Sequence, residues 1–198
     1  HLAYIDQIVF SDLYVFSKLI NSLPTNINLQ LSNSSTIRYA QLFNFKEDID
    51  VFCNRGTSGI DGSTSTAIGA AVACEKETVF ITGDLSFLYD SNALWNNYIP
   101  LNFKIIIINN GGGGIFRILP GEKNTPNFER FIETKHDLSA KFLCKMFDIK
   151  YFVATTKKEL EDSLPFFYST QNKPHLLEVF TPGSLNDQVL LDYFEYLK

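Results

Sequence analysis

Four consecutive isoleucines, Ile105 to Ile108, narrow the possible folds more than any other feature of the chain. β-Branched side chains favour an extended backbone, and a run that is apolar at every position has no face fit for water. Such a strand is expected in the middle of a parallel sheet with helices on both sides. The run leads straight into Asn109-Asn110 and then four glycines, Gly111 to Gly114. In open parallel sheets, ligands bind beyond the carboxyl ends of the strands. The polar exit of this strand, poor in side chains, is therefore a candidate site.

Elsewhere short apolar runs alternate with amphipathic stretches. Strands are expected over 27–31, 49–53, 78–82, 104–108, 151–154 and 175–180. Helices are expected over 10–23, 62–74, 90–98, 137–147, 157–168 and 184–196. Pro24 stops the first, Asp90 or Ser91 caps the third, and Asp137 caps the fourth. About six strands with helices between them read as one domain over 1–198, a three-layer α/β/α arrangement around a mainly parallel sheet. A chain of 198 residues, 45% of them hydrophobic, builds such a core without staples.

Charge and composition exclude several functions. Seventeen Lys+Arg against 22 Asp+Glu leave a net charge of -5, so no basic field awaits nucleic acid or an anionic membrane. No apolar run approaches the roughly 20 residues that span a bilayer. Cys53, Cys74 and Cys144 form no C-x-x-C and read as reduced thiols, mostly core, of a cytoplasmic protein. The three histidines give no zinc spacing, and no His accompanies the hydroxyl-rich segment to make a Ser-His-Asp set. Trp95 reads as core or interface. The chain begins at His1 rather than Met, which suggests processing or excision from something longer.

Three strand ends carry unusual residues. Gly83-Asp84 puts a carboxylate at the sheet rim, either as a helix cap or as a ligand. Asn109-Asn110 adds carboxamides after the next helix and strand. Carboxylate, carboxamide and carbonyl oxygens form a hard set suited to Mg²⁺. Glycines 111 to 114 are either a plain flexible loop or a place where backbone approaches a ligand, and they are expected to be mobile when it is absent. No strict G-x-G-x-x-G and no later acidic residue favour a dinucleotide site. The third end, Arg55 to Gly62 followed by Ser63 to Thr66, suits an anion. Arg38 and Ser34 reach the same rim or remain surface residues.

Together these segments resemble the diphosphate-binding domain of thiamine diphosphate (ThDP) enzymes, in which Gly-Asp is followed, after a helix and a strand, by Asn-Asn. NRGTSGIDGSTSTAIGAA, GDLSFLYDSNALWN and IIINNGGGGIFRILPG resemble, more narrowly, the branch that acts in menaquinone biosynthesis. The resemblance covers the chain from about Asn33 to the last strand. It implies a transferase that uses the ThDP thiazolium as electron sink for decarboxylating 2-oxoglutarate and adds the succinyl carbanion to isochorismate. It implies that Asp84, the Asn110 side chain and the Gly112 carbonyl hold Mg²⁺, with Mn²⁺ as an alternative. Gly83, Leu85, Ser86, Gly113 and Gly114 would surround the diphosphate, and Ile115 and Phe116 would add cofactor contacts. Ile60 would wedge the cofactor into its bent shape, and Phe116 with Leu119 would wall the thiazolium. Arg55, Arg38 and Ser34 would bind substrate carboxylates.

Two departures stand out. Gly111 replaces a third asparagine, and Gly114 stands where a larger polar residue occurs. Enzymes of this kind also have three domains, and the resemblance is to the last, so the upstream domains are absent from this chain. The family places ThDP between two subunits, with its essential glutamate in the first domain. The resemblance thus implies a homo-oligomer, dimer or tetramer, whose diphosphate domain pairs with the pyrimidine-binding domain of another subunit. The isolated chain is expected to be inactive. Competing readings are a domain of another ThDP-dependent 2-oxo acid decarboxylase or carboligase, a non-catalytic Mg²⁺/nucleotide-binding module, and a structural oligomerisation domain.

Overall fold

The computed structural model describes residues 2–121, 123, 125–169 and 172–198, so His1 lies outside the described residues. Its elements in chain order are α1 (Leu2–Ile5), α2 (Asp12–Ser22), β1 (Asn28–Leu31), α3 (Ser35–Ala40), β2 (Asp50–Cys53) and α4 (Ser63–Ala73). Then follow β3 (Thr78–Gly83), α5 (Asp84–Tyr89), β4 (Lys104–Asn109), α6 (Ile115–Ile118), α7 (Lys141–Met146) and β5 (Lys150–Ala154). The chain closes with α8 (Lys157–Tyr168), β6 (His175–Phe180) and α9 (Asn186–Tyr196). A 3₁₀ turn covers Ser91–Leu94 and a π turn covers Phe128–Ile132.

The six strands form one sheet in the order β2-β1-β3-β4-β6-β5, and every pairing is parallel. The isoleucine strand is central, as its composition predicts. Ile106 and Ile108 pack into one core with Leu13, Phe16 and Leu19 of α2. Ile105 and Ile107 pack into the other with Ala67 and Ile68 of α4 and Phe87 of α5. The period-2 alternation of a strand thus divides one apolar run between two buried faces. From β1 the chain crosses to β2 on one side, and from β3 it crosses to β4 on the other. The carboxyl ends of β1 and β3 therefore flank a topological switch point, where such sheets open a crevice.

The strands and the helices over 10–23, 62–74, 157–168 and 184–196 fall where expected, with shifts of one or two residues at most ends. Two helices do not. The helix expected over 90–98 begins instead at Asp84, and only the 3₁₀ turn follows Asp90. Asp90 does cap a helix, but that helix is α4: its carboxylate accepts from Ser65 N at 2.7 Å and Ser65 Oγ at 2.8 Å. Trp95, released from the expected helix, is 83% exposed rather than core. The helix expected over 137–147 begins only at Lys141, because the buried Glu178 of β6, not Asp137, receives the Ala140 N–H. Helix α3 carried no strong periodic signal and was not anticipated. Among the described residues the cysteines are free; Cys144 is buried, whereas Cys53 and Cys74 are half-buried. No described helix is long and apolar enough to cross a membrane.

At the amino end of β6 the buried His175 donates from Nδ1 to the Phe167 carbonyl, 2.6 Å away. Burial holds its pKa below the usual histidine range. The unfolded chain takes up this proton near pH 6.5 and the folded chain does so only at lower pH, so stability falls as the pH drops through that range. Denaturant titrations at pH 7.5 and 5.5 are expected to show the loss, and His175→Gln to reduce it.

Candidate active site

A cavity of about 410 Å³ opens at the carboxyl ends of β1, β3 and β4. It brings together Ser34, Ile60, Gly83, Asp84, Leu85, Ser86, Asn110, Gly112, Gly113, Gly114, Ile115 and Phe116. Arg38, Arg55 and Leu119 do not line it. The arginines nevertheless reach it from outside: Arg38 donates to the Ser34 carbonyl at 2.8 Å, and Arg55 donates to Asn33 Oδ1 at 2.7 Å. Both arginines remain exposed. Leu119 is 51% exposed and outside the wall that the sequence assigns to it.

Asp84 begins α5, directly after Gly83 at the end of β3, and is buried. Its Oδ2 accepts from Gly111 N at 2.9 Å and Gly112 N at 3.1 Å, and its Oδ1 accepts from Leu85 N at 2.6 Å. The carboxylate thus joins two strand ends through backbone donors. His136 Nε2 lies 3.3 Å from Asp84 Oδ2. His136 Nδ1 accepts from Leu138 N at 3.1 Å, which leaves the ring proton on Nε2, facing Asp84. Its pKa is raised, chiefly by that carboxylate.

The adjacent asparagines do different work. Asn109 is buried; its amide donates to Glu178 Oε1 at 2.8 Å and to the Leu138 carbonyl at 2.9 Å. Asn110 faces the cavity. Its Nδ2 donates to Asp12 Oδ2 at 3.0 Å, and its Oδ1 is buried without a hydrogen-bond partner. Burying an amide oxygen unpaired costs about 1–3 kcal/mol, so an absent partner is implied.

The glycine run is anchored by groups its sequence does not reveal. Asp84 takes the first two N–H groups, the Glu133 carbonyl takes that of Gly113 at 2.6 Å, and the Gly112 carbonyl takes that of Gly114 at 3.0 Å. Gly112 has φ +152, and a Cβ there would stand 2.7 Å from the Glu133 carbonyl oxygen. Glu133 is itself buried and paired with Arg117. Gly183 permits a second close approach, since a Cβ there would collide with the Asn110 carbonyl oxygen.

Two further bonds hold the opposite wall. Ser86 Oγ donates to the Ile60 carbonyl, tying the loop after β2 to the first turn of α5. Asn33 donates to the Gly59 carbonyl at 3.1 Å while accepting from Arg55. Ser34 has φ +70, a backbone region that non-glycine residues rarely occupy. Sequence reasoning missed Asp12, Asn33, His136 and Glu178. Asp12 follows the Ser11 cap of α2 and reads as an ordinary helix start. Burial pushes its pKa up to about 6, against hydrogen bonds from Thr181, Asn110 and Asn186 that pull it down.

The donor set tests well against a divalent cation. No described cluster of three His, Cys, Asp or Glu side chains could hold a metal. The available oxygens are instead mixed: the Asp84 carboxylate, the unpaired Asn110 Oδ1 and the Gly112 carbonyl, whose second lone pair is free of the Gly114 bond. Hard oxygens in a partial set, completed by water and phosphate, suit Mg²⁺.

A parallel sheet with hard oxygens and a glycine wall at its switch point is the architecture of a cofactor-diphosphate-binding domain. Residues 33–179 match the family model described as thiamine pyrophosphate enzyme, C-terminal TPP binding domain, and the chain belongs to this family. Curated relatives share one name, 2-succinyl-5-enolpyruvyl-6-hydroxy-3-cyclohexene-1-carboxylate synthase. That of Christiangramia forsetii is 54% identical over 198 residues, covering 100% of this chain and 34% of the relative. That of Flavobacterium johnsoniae is 60% identical over 194 residues, covering 98% and 35%. That of Bacteroides fragilis is 41% identical over 194 residues, covering 97% and 35%. The chain thus spans about a third of the length of these relatives.

Proposed function

We propose that this chain, 1–198, is the C-terminal, diphosphate- and Mg²⁺-binding domain of a longer ThDP-dependent synthase. The enzyme decarboxylates 2-oxoglutarate and joins the succinyl unit to isochorismate, a step of menaquinone biosynthesis, in the cytoplasm. The shared name of the relatives supports the reaction. The observation that carries the site is the buried, unpartnered Asn110 Oδ1 in the same cavity as Asp84.

Asp84, Asn110 Oδ1 and the Gly112 carbonyl hold Mg²⁺, or Mn²⁺ in its place. Gly83, Leu85, Ser86, Gly113 and Gly114 surround the diphosphate, where their small or backbone groups allow close approach. When bound, ThDP supplies a thiazolium electron sink for loss of CO₂ from a 2-oxo acid. Ile60, whose carbonyl accepts from Ser86, would support the cofactor, and Ile115 and Phe116 would add apolar contacts to it from the cavity wall. Ser34, Arg38 and Arg55 anchor substrate carboxylates at the rim. Both substrates are anionic and the chain carries net charge -5, so attraction must come from local guanidinium groups.

Asn33 fixes Arg55, so Asn33→Ala is expected to raise the KM for 2-oxoglutarate or isochorismate about tenfold, with kcat less affected, in steady-state kinetics. The rest of the site comes from the pyrimidine-binding domain of another subunit in a homo-oligomer, so the isolated chain is inactive. The test is turnover by the full-length enzyme of 2-oxoglutarate with isochorismate, beside pyruvate. Preference for the first pair supports the proposal. Preference for pyruvate moves the chain to another ThDP decarboxylase or carboligase, and turnover by the 198-residue chain alone contradicts the half-site.

A further inference from the structure

We infer that Asp12 is a positioning residue that sets which end of the Asn110 carboxamide faces the cavity. The inference rests on the proposed metal-binding role of Asn110. Asp12 is 2% exposed and sits at the first turn of α2. Its backbone N–H donates to Asn186 Oδ1 at 2.9 Å, which joins α2 to α9. Its carboxylate is held from the other side by Thr181, just past β6, whose Oγ1 donates to Oδ1 at 2.5 Å. Only Oδ2 remains for the third partner, Asn110 Nδ2 at 3.0 Å.

The chemistry makes this contact directional. An ionised carboxylate only accepts, so the carboxamide must present its NH₂ group to Asp12. The other end, Oδ1, is then turned away from Asp12, and it is buried and unpartnered. A freely turning carboxamide would offer a cation the NH₂ group part of the time, and an NH₂ group is no ligand. Outer partners that orient a metal ligand typically matter ten- to a hundredfold in metal affinity. Asp12 thus acts through Asn110 and has no need to touch the metal. It is held for the task from three elements: its own helix, α9 and the end of β6.

The test is Mn²⁺ affinity of the full-length enzyme with ThDP present, read by electron paramagnetic resonance of free Mn²⁺. Asp12→Leu keeps a branched side chain of similar shape and removes both acceptor oxygens, so nothing is left to hold the Asn110 NH₂ group. It is expected to weaken Mn²⁺ by about tenfold to a hundredfold where Asn110 is native, and by no more than about twofold in an Asn110→Ala background. Thr181→Val keeps the Asp12–Asn110 contact and is expected to stay within about threefold. Equal losses in both backgrounds would mean that only the field of the Asp12 charge matters, and would overturn the inference. So would no loss from Asp12→Leu while Asn110→Ala weakens binding, although the metal site would stand. No loss from Asn110→Ala removes the metal role of Asn110 itself, and the inference with it. If Asp12→Leu does not fold, a crystal structure of the unsubstituted enzyme loaded with Mn²⁺ decides. Asn110 still bonded to Asp12 with its oxygen on Mn²⁺ supports the inference, and a carboxamide turned away from Asp12 overturns it.

Discussion

Asp84→Ala is expected to cost the full-length enzyme at least about a hundredfold in Mg²⁺-dependent ThDP affinity, measured by titration calorimetry. The expected loss exceeds that of an orienting partner because the substitution removes the one carboxylate among the three candidate ligands. It also removes the acceptor of Gly111 N and Gly112 N. Gly111 N keeps a second acceptor, Asn109 Oδ1 at 3.2 Å, but Gly112 N is left buried and unpaired at about 1–3 kcal/mol, so the variant is expected to melt lower even without ligand. Asp84→Asn separates the two effects. Its remaining oxygen accepts at least one of the N–H groups and restores part of the stability, while the lost charge leaves metal binding weak. A variant that binds Mg²⁺ and ThDP as tightly as the unsubstituted enzyme would remove Asp84 from the metal site.

Gly112→Ala is expected to destabilise the protein by about 3 kcal/mol or more in denaturant titrations. Two costs add. At φ +152 an L side chain is strained wherever it has room, and here it has none, because the added Cβ meets the Glu133 carbonyl oxygen. That oxygen cannot easily move away, since it accepts the Gly113 N–H while Arg117 grips the Glu133 carboxylate. Gly69, inside α4, serves as the contrast: a Cβ there meets nothing within 4 Å. Gly69→Ala is expected to stabilise by about 0.5–1 kcal/mol, because alanine loses less backbone freedom on folding. A Gly112→Ala protein as stable as the parent would mean that the glycine wall adopts a different path.

What was legible in the sequence follows from how local each signal is. The isoleucine strand announced its place because every one of its positions is apolar, and the structure buries them all. The strand-end residues were legible because parallel sheets put ligands there, and most of them do line one cavity. The start of α5 was not, since Asp84 and Asp90 are equally good caps on paper. What separates them is Ser65, 25 positions away from Asp90. The start of α7 failed for the same reason, because Glu178, which receives the N–H of Ala140 just before the helix, lies 38 positions beyond it. Asp12 could not be found at all, as its contact with Asn110 spans 98 positions. The arginines were read as reaching the rim, but not as leaning on Asn33 and Ser34.

The most direct test of the proposed site is the melting temperature of the full-length protein with Mg²⁺ and ThDP, beside Mg²⁺ with ADP or NAD. A ligand that binds only the folded state at a hundred times its Kd stabilises it by about 2.7 kcal/mol, which a melt resolves. The expected result is a rise with Mg²⁺ and ThDP together that disappears when Mg²⁺ is withheld, and little change with ADP or NAD. An equal rise with ADP or NAD, or none with Mg²⁺ and ThDP, would contradict a site built by Asp84 and Asn110 for the diphosphate of this cofactor.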